Sequence, residues 1–158
     1  MRPDADKERS GGPGFDRILC PRQMKAIVCV DNGGGMMFNR RRQSRDQEVR
    51  RRLGQISSGG TLRMDAYSAR QFAGNLPDNA EVSEDFLDSA GPDDFCFVED
   101  RDLTPHLGQI DELIVFRWNR DYPRDQVLPV ELADWQCISS QDFAGSSHDK
   151  ITQEVYIR

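Results

Sequence analysis

The sequence predicts an α/β protein, with a mixed, mainly parallel sheet, flanking helices and a C-terminal antiparallel hairpin. Three observations support this. The apolar run Ala26-Ile27-Val28-Cys29-Val30 has the length of a buried strand, and it leads through Gly33-Gly34-Gly35 into a helical pattern. Further apolar runs recur with helical segments between them, and strands joined by helices lie parallel. The last two strand patterns are separated only by a turn, so they pair antiparallel.

Residues 1–23 are polar and rich in Gly and Pro, with one brief apolar patch at Ile18-Leu19-Cys20. They read as a disordered leader before a single domain over residues 24–158. They contain no signal-peptide core, and their acidic residues argue against a transit peptide.

The first strand starts at Lys25. Ser44 is the expected N-cap of the first helix, with Gln47 completing a capping box. Val49, Leu53 and Ile56 then fall on one helical face, and Ser57-Ser58-Gly59-Gly60 stops the helix. Residues 61–64 read as a strand and 66–72 as a second short helix. Glu81 and Val82 start a weak strand. Ser83 caps a brief helix carrying Phe86 and Leu87, which Gly91-Pro92 ends.

Phe95-Cys96-Phe97-Val98 is uninterrupted and apolar, as in a strand buried on both faces. Thr104-Pro105 opens a short helix, since proline suits a first turn. Residues 113–118 form the next strand. Residues 119–129 are polar with two prolines, so they form an excursion. Residues 135–140 and 151–157 are the closing strands, and 143–148 have turn composition.

Composition narrows the function. Apolar residues make up 37% of 158, enough for one modest core, and no run is long enough to span a membrane. The net charge of −6 argues against indiscriminate nucleic-acid binding. Cys20, Cys29, Cys96 and Cys137 are widely spaced with no Cys-x-x-Cys, which fits a reduced, cytoplasmic protein. His106 and His148 are the only histidines, too few for a histidine-rich metal centre, so no metal is expected.

The candidate site is the run from Asp31 to Asp46. Gly33, Gly34 and Gly35 could let the backbone approach a ligand and act as a hinge. Met36, Met37 and Phe38 suit a lid or edge packing against the core, with a ligand wall as the alternative. Asp46, at a helix start beside a strand's carboxyl end, could anchor a ligand or relay a proton, and it also suits the helix dipole. Arg40, Arg41, Arg42, Arg45, Arg50, Arg51 and Arg52 crowd the same loop and helix. They suit phosphate or carboxylate groups, or a solvated face paired with Asp46 and Glu48. His148 lies in a turn with Ser146, Ser147 and Asp149, and neighbours in a turn rarely converge as a catalytic triad does.

Several strings resemble dihydrofolate reductase. Lys25-Ala-Ile-Val-Cys-Val-Asp31 is similar to that family's first strand. Residues 32–45 lie where its mobile loop lies, and Asp46 falls at its pterin-binding carboxylate. Arg63-Met64-Asp65-Ala66-Tyr67-Ser68 resembles its second strand and cofactor-phosphate turn, which adds Tyr67 and Ser68 to the ligand-binding set. Glu112-Leu-Ile-Val-Phe116, Asp134-Trp135 and the closing hairpin resemble its C-terminal part. The resemblance implies an NADPH-dependent oxidoreductase fold. The departures imply a reduced cofactor half. Glu99-Asp100 replaces a Gly-Gly pair at the pyrophosphate turn, Asp65 and Ala66 replace glycine and arginine, and the segment before Phe95 is short.

The chain is also similar to short bacterial proteins that open with MKAIVCVD and close on HxKITxEVY, some of them called ribonuclease Z. That enzyme's two-zinc hydrolysis needs a histidine string that this sequence lacks. The expected function is therefore binding of a small heterocyclic or anionic ligand, without efficient reductase activity. NADPH is disfavoured as a cofactor, and a reductase with altered cofactor binding is the alternative.

Overall fold

A computed structural model describes residues 23–158, so the expected leader lies, but for its last residue, outside the described residues. The chain begins with β1 (Met24–Val30), β2 (Gly35–Phe38) and β3 (Arg41–Arg42). Next come α1 (Gln47–Ile56), β4 (Thr61–Met64) and α2 (Ala66–Ala69), which runs into a 3-10 turn at Arg70–Phe72. β5 (Ala80–Val82) and β6 (Asp94–Phe97) precede a second 3-10 turn, Thr104–Gln109. β7 (Ile110–Arg117), β8 (Gln126–Val127), β9 (Gln136–Phe143) and β10 (Ile151–Ile157) complete the strands.

Seven strands form the main sheet in the order β5-β4-β6-β1-β7-β10-β9. β5, β4, β6, β1 and β7 run parallel, while β10 is antiparallel to both β7 and β9. β1 is central because its run is apolar on both faces. Ala26, Val28 and Val30 enter one core cluster and Ile27 the other. Alternate strand residues point to opposite faces, so the two clusters lie on the two sides of the sheet.

On one side α1 packs Val49 and Leu53 against Ile27, Leu62, Phe97 and Phe116. Of the two α-helices among the described residues, α1 adds nothing to the other side and α2 adds Tyr67. That side is otherwise covered by Met36 and Met37 of β2, by Phe86 and Leu87, and by Leu103 and Leu128. β2 belongs to a small second sheet, ordered β3-β2-β8.

The structure corrects three local expectations. Asp46, not Ser44, caps α1. Its backbone is extended and its carboxylate accepts from the Glu48 N–H at 2.8 Å. No helix follows Ser83. The Ser83 hydroxyl bonds the Asp85 side chain and accepts its N–H, and that local bonding competes with a helical turn. Phe86 and Leu87 are buried from a turn instead. Finally, β2, β3 and β8 occupy stretches expected to be loop and excursion.

Candidate functional site

The glycine loop is built around Asp31, which is fully buried. Its Oδ1 accepts from the Gly33 and Gly35 N–H groups at 2.9 and 2.7 Å. Its Oδ2 accepts from Tyr122 N–H, Gln43 Nε2 and Arg124 at 3.1, 3.2 and 3.3 Å. Burial alone would raise the Asp31 pKa, but the Gly35, Tyr122 and Gly33 N–H groups outweigh it and hold the carboxylate charged. Of the three glycines only Gly34 has a left-handed backbone, with φ 77. Gly35 has no room for a side chain, because a Cβ would come within 2.6 Å of Gln43 and Arg124. The triplet is thus a tight connection between β1 and β2. Met36 and Met37 are core side chains.

Asp46 is buried at the start of α1 and its carboxylate is filled from within the protein. Oδ1 accepts from the Glu48 and Ser146 N–H groups at 2.8 and 3.0 Å. Oδ2 accepts from the Ser147 N–H and hydroxyl at 2.8 and 2.9 Å. Burial would raise its pKa, but the bonds from Ser147, Ser146 and Glu48 prevail and hold it far below the usual carboxylate range. Asp46 therefore clamps the loop before β10 to the start of α1.

His148 is the residue that sequence reasoning set aside. It is 5% exposed and stacks on Trp118 with ring centroids 4.7 Å apart. Nδ1 lies 2.9 Å from Ser147 Oγ and 3.5 Å from Asp46 Oδ2. Nε2 lies 2.8 Å from the Tyr122 hydroxyl and 3.3 Å from Ser44 Oγ. Ser147 Oγ also sits 2.9 Å from the Arg45 carbonyl and from Asp46 Oδ2, both pure acceptors. Its hydrogen goes to one of them, so it accepts from Nδ1–H. Nε2 is left as an acceptor facing two hydroxyls. Burial pushes the imidazole pKa below its ordinary value, against the pull of Asp46, so the ring is neutral near pH 7.

The carboxyl ends of the parallel strands are where α/β sheets open their ligand crevices. Arg42 crosses this edge. It forms a two-bond pair with the buried Glu99 at 2.9 and 3.1 Å and lies over the Tyr67 ring at 4.4 Å. Beside it, Asp65 caps α2 and binds Arg101 at 3.1 Å. Asp100 shares the acid pocket. Burial first, then the hydrogen bond and charge of Asp65, push the Asp100 pKa up to about 7.

A crevice of about 490 Å³ is lined by Arg41, Arg42, Ser44, Arg45 and Tyr67. On the other side of Arg41 and Arg42, one of about 370 Å³ reaches Tyr122. A third, of about 340 Å³, lies between α1 and the segment after α2, lined by Arg50, Gln71 and Phe72 among others. In that groove Gln71 Nε2 and one Arg50 Nη1 are buried with no acceptor among the described residues. Gln71 is 7% exposed. Of the residues expected to bind ligand, Tyr67 lines one of these crevices. Gly33, Gly34, Gly35, Met36, Met37, Asp46 and Ser68 line none of them.

The arginines divide. Glu48 pairs with Arg51 and Arg52, and Asp46 pairs with none, its oxygens being taken by backbone. Arg41 and Arg45 have no carboxylate partner among the described residues. Among those residues, no three His, Cys, Asp or Glu side chains are grouped to hold a metal, and no helix is long and apolar enough to cross a membrane.

No family model matches the sequence, and no curated protein matches it. The structure is similar to a dihydrofolate reductase from Enterococcus faecalis complexed with NADP(H) and RAB-propyl. The TM-score is 0.61 at 10% identity, covering 86% of this chain and 96% of that one. The fold is dihydrofolate reductase-like. The turn after β6 presents Glu99, tied to Arg42, and Asp100, whose partner acid Asp65 is bound by Arg101.

Proposed function

We propose that this protein binds a small, acceptor-rich anionic ligand along the seam between α1 and α2. The unpartnered Gln71 Nε2 and Arg50 Nη1 are the main support. Buried donors without acceptors cost stability, and the cost is tolerated where a ligand supplies the acceptor. Arg41 and Arg45, without carboxylate partners, add positive charge at the other crevice along the seam. Tyr67 belongs to this set. Asp46 orients the helix start and does not itself present a free oxygen.

The test is a thermal-shift screen with dicarboxylates, nucleotides, folates and nicotinamide cofactors, repeated on Gln71→Leu. A ligand that binds only the native state raises the melting temperature. The expected result is a shift with an anionic compound that Gln71→Leu removes. Without ligand, that variant should be at least as stable as the parent, since it deletes an unsatisfied amide. No shift with any anion, or a shift that Gln71→Leu leaves intact, would sink the proposal.

A reductase reading would rest on the likeness to an NADP(H)-bound neighbour, and Glu99, Asp65 and Asp100 weigh against it. The ribonuclease name attached to similar short proteins gains nothing here, since His106 and His148 lie on separate elements and His148 is engaged by Ser147 and Tyr122.

A further inference from the structure

We propose that Ser44 is a nucleophile, activated by His148, that cleaves small anionic esters in the crevice it shares with Arg41, Arg45 and Tyr67. This rests on the anionic-ligand reading for its substrate class, but not for its chemistry. Four side chains from two distant parts of the chain supply the geometry. Ser44 Oγ is 3.3 Å from His148 Nε2. His148 Nδ1 is 2.9 Å from Ser147 Oγ, which is 2.9 Å from Asp46 Oδ2. The buried carboxylate, directly and through Ser147, holds the imidazole in the tautomer that leaves Nε2 free to accept. Ser44 borders the crevice, and the imidazole behind it is buried.

The steps balance without any further reagent. Ser44 Oγ attacks the ester carbonyl carbon as its proton passes to Nε2. The tetrahedral intermediate collapses, the bond to the leaving alcohol breaks, and that oxygen takes the proton from Nε2. Water, deprotonated by His148, then attacks the acyl carbon; the bond to Ser44 Oγ breaks, that oxygen takes the proton back from Nε2, and the acid leaves. The Arg45 N–H, next in the chain, has no acceptor among the described residues and is available to an oxyanion. Asp46 and Ser147 are positioning residues.

Tyr122 makes the proposal sharply testable. Its hydroxyl lies closer to Nε2 than Ser44 does, at 2.8 Å, and Nε2 has one lone pair. Tyr122 therefore restrains the nucleophile. The probe is a small neutral fluorophosphonate, with adducts located by mass spectrometry. The wild type should be labelled on Ser44, and Ser44→Ala should not be labelled there. Tyr122→Phe should label about fivefold faster, the scale of one lost competing hydrogen bond. The labelling rate should fall in acid as His148 protonates, with a midpoint below the ordinary imidazole value.

His148 is buried and stacked on Trp118, so Tyr122→Phe, which keeps that packing, is the deciding variant. No Ser44 adduct, or slower labelling in Tyr122→Phe, would overturn the nucleophile. The substrate class is read separately, from p-nitrophenyl hydrogen succinate against p-nitrophenyl acetate. A preference for the succinate that Arg45→Ala lowers supports it. Ser44 labelling without that preference would overturn the anionic class and leave the nucleophile standing.

Discussion

Gly145 is glycine because Asp46 occupies the space where its side chain would be. A Cβ on Gly145 would overlap Asp46 Oδ2 and come within 2.7 Å of Ile151 Cδ1. The turn before β10 and the start of α1 are fitted to each other at this point. Gly145→Ala should therefore destabilise by about 1–3 kcal/mol, the usual cost of overpacking. Urea unfolding at neutral pH measures it, and an unchanged midpoint would mean the clamp gives way freely.

Asp46→Asn should cost more than a helix-dipole contribution of about 0.3–1 kcal/mol. Both carboxylate oxygens accept backbone N–H groups, so either orientation of the amide sets its NH2 against a donor. The expected loss is about 1.5–3 kcal/mol, the scale of a charged hydrogen bond. A loss confined to the dipole range would show that the Ser146–Ser147 loop contributes little.

The same carboxylate should govern acid sensitivity. Its pKa is lower folded than unfolded, so its stabilisation is complete above the usual carboxylate range. The contribution is lost as pH falls through that range toward the folded value. Unfolding free energies between pH 5 and pH 2 should fall more steeply for the wild type than for Asp46→Asn. Parallel curves would contradict the shift.

Asp100 should act in the opposite direction. Its folded pKa is raised to about 7, so what it contributes is present below the ordinary carboxylate value and lost as pH rises toward 7. Asp100→Asn should flatten the decline in stability between pH 4 and pH 7. Carboxyl carbon chemical shifts would follow the titration directly, and a midpoint near 4 would refute it.

Arg42→Ala should destabilise by about 3–5 kcal/mol, because it leaves the Glu99 carboxylate buried and unpaired. Glu99→Gln should cost less, and a double-mutant cycle separates the pair's coupling from the burial cost. Equal, small losses for both single variants would mean that water reaches Glu99.

The sheet was legible where one residue type decides its own environment. The runs at β1, β6 and β7 are apolar enough to be buried strands in any context, and Val49 and Leu53 mark the buried face of α1. What was not legible depends on partners far along the chain. β3 and β8 are two residues each and exist only because β2 lies between them. The Ser44 and Asp46 cap signals compete locally, and the loop 100 residues further on decides for Asp46. His148 looked idle because its immediate neighbours make no triad, whereas its contact to Ser44 spans 104 residues. Asp46 stood out in the sequence as a carboxylate at a helix start, and it caps α1. Its filled oxygens could not be foreseen, since the groups that fill them come from a turn.

β10 is synthesised after every other described strand, yet it lies inside the sheet between β7 and β9. On a translating ribosome, the five parallel strands can assemble while residues 136–157 are still to come. β9 then emerges with no neighbour, and β7 keeps an open edge until β10 slides between them. A ribosome pausing in this interval would display an unpaired strand edge, the kind of surface that recruits another nascent chain. The Ser146–Ser147 loop that binds the α1 cap, Asp46, arrives in the same interval, so the helix start and the sheet reach completion together.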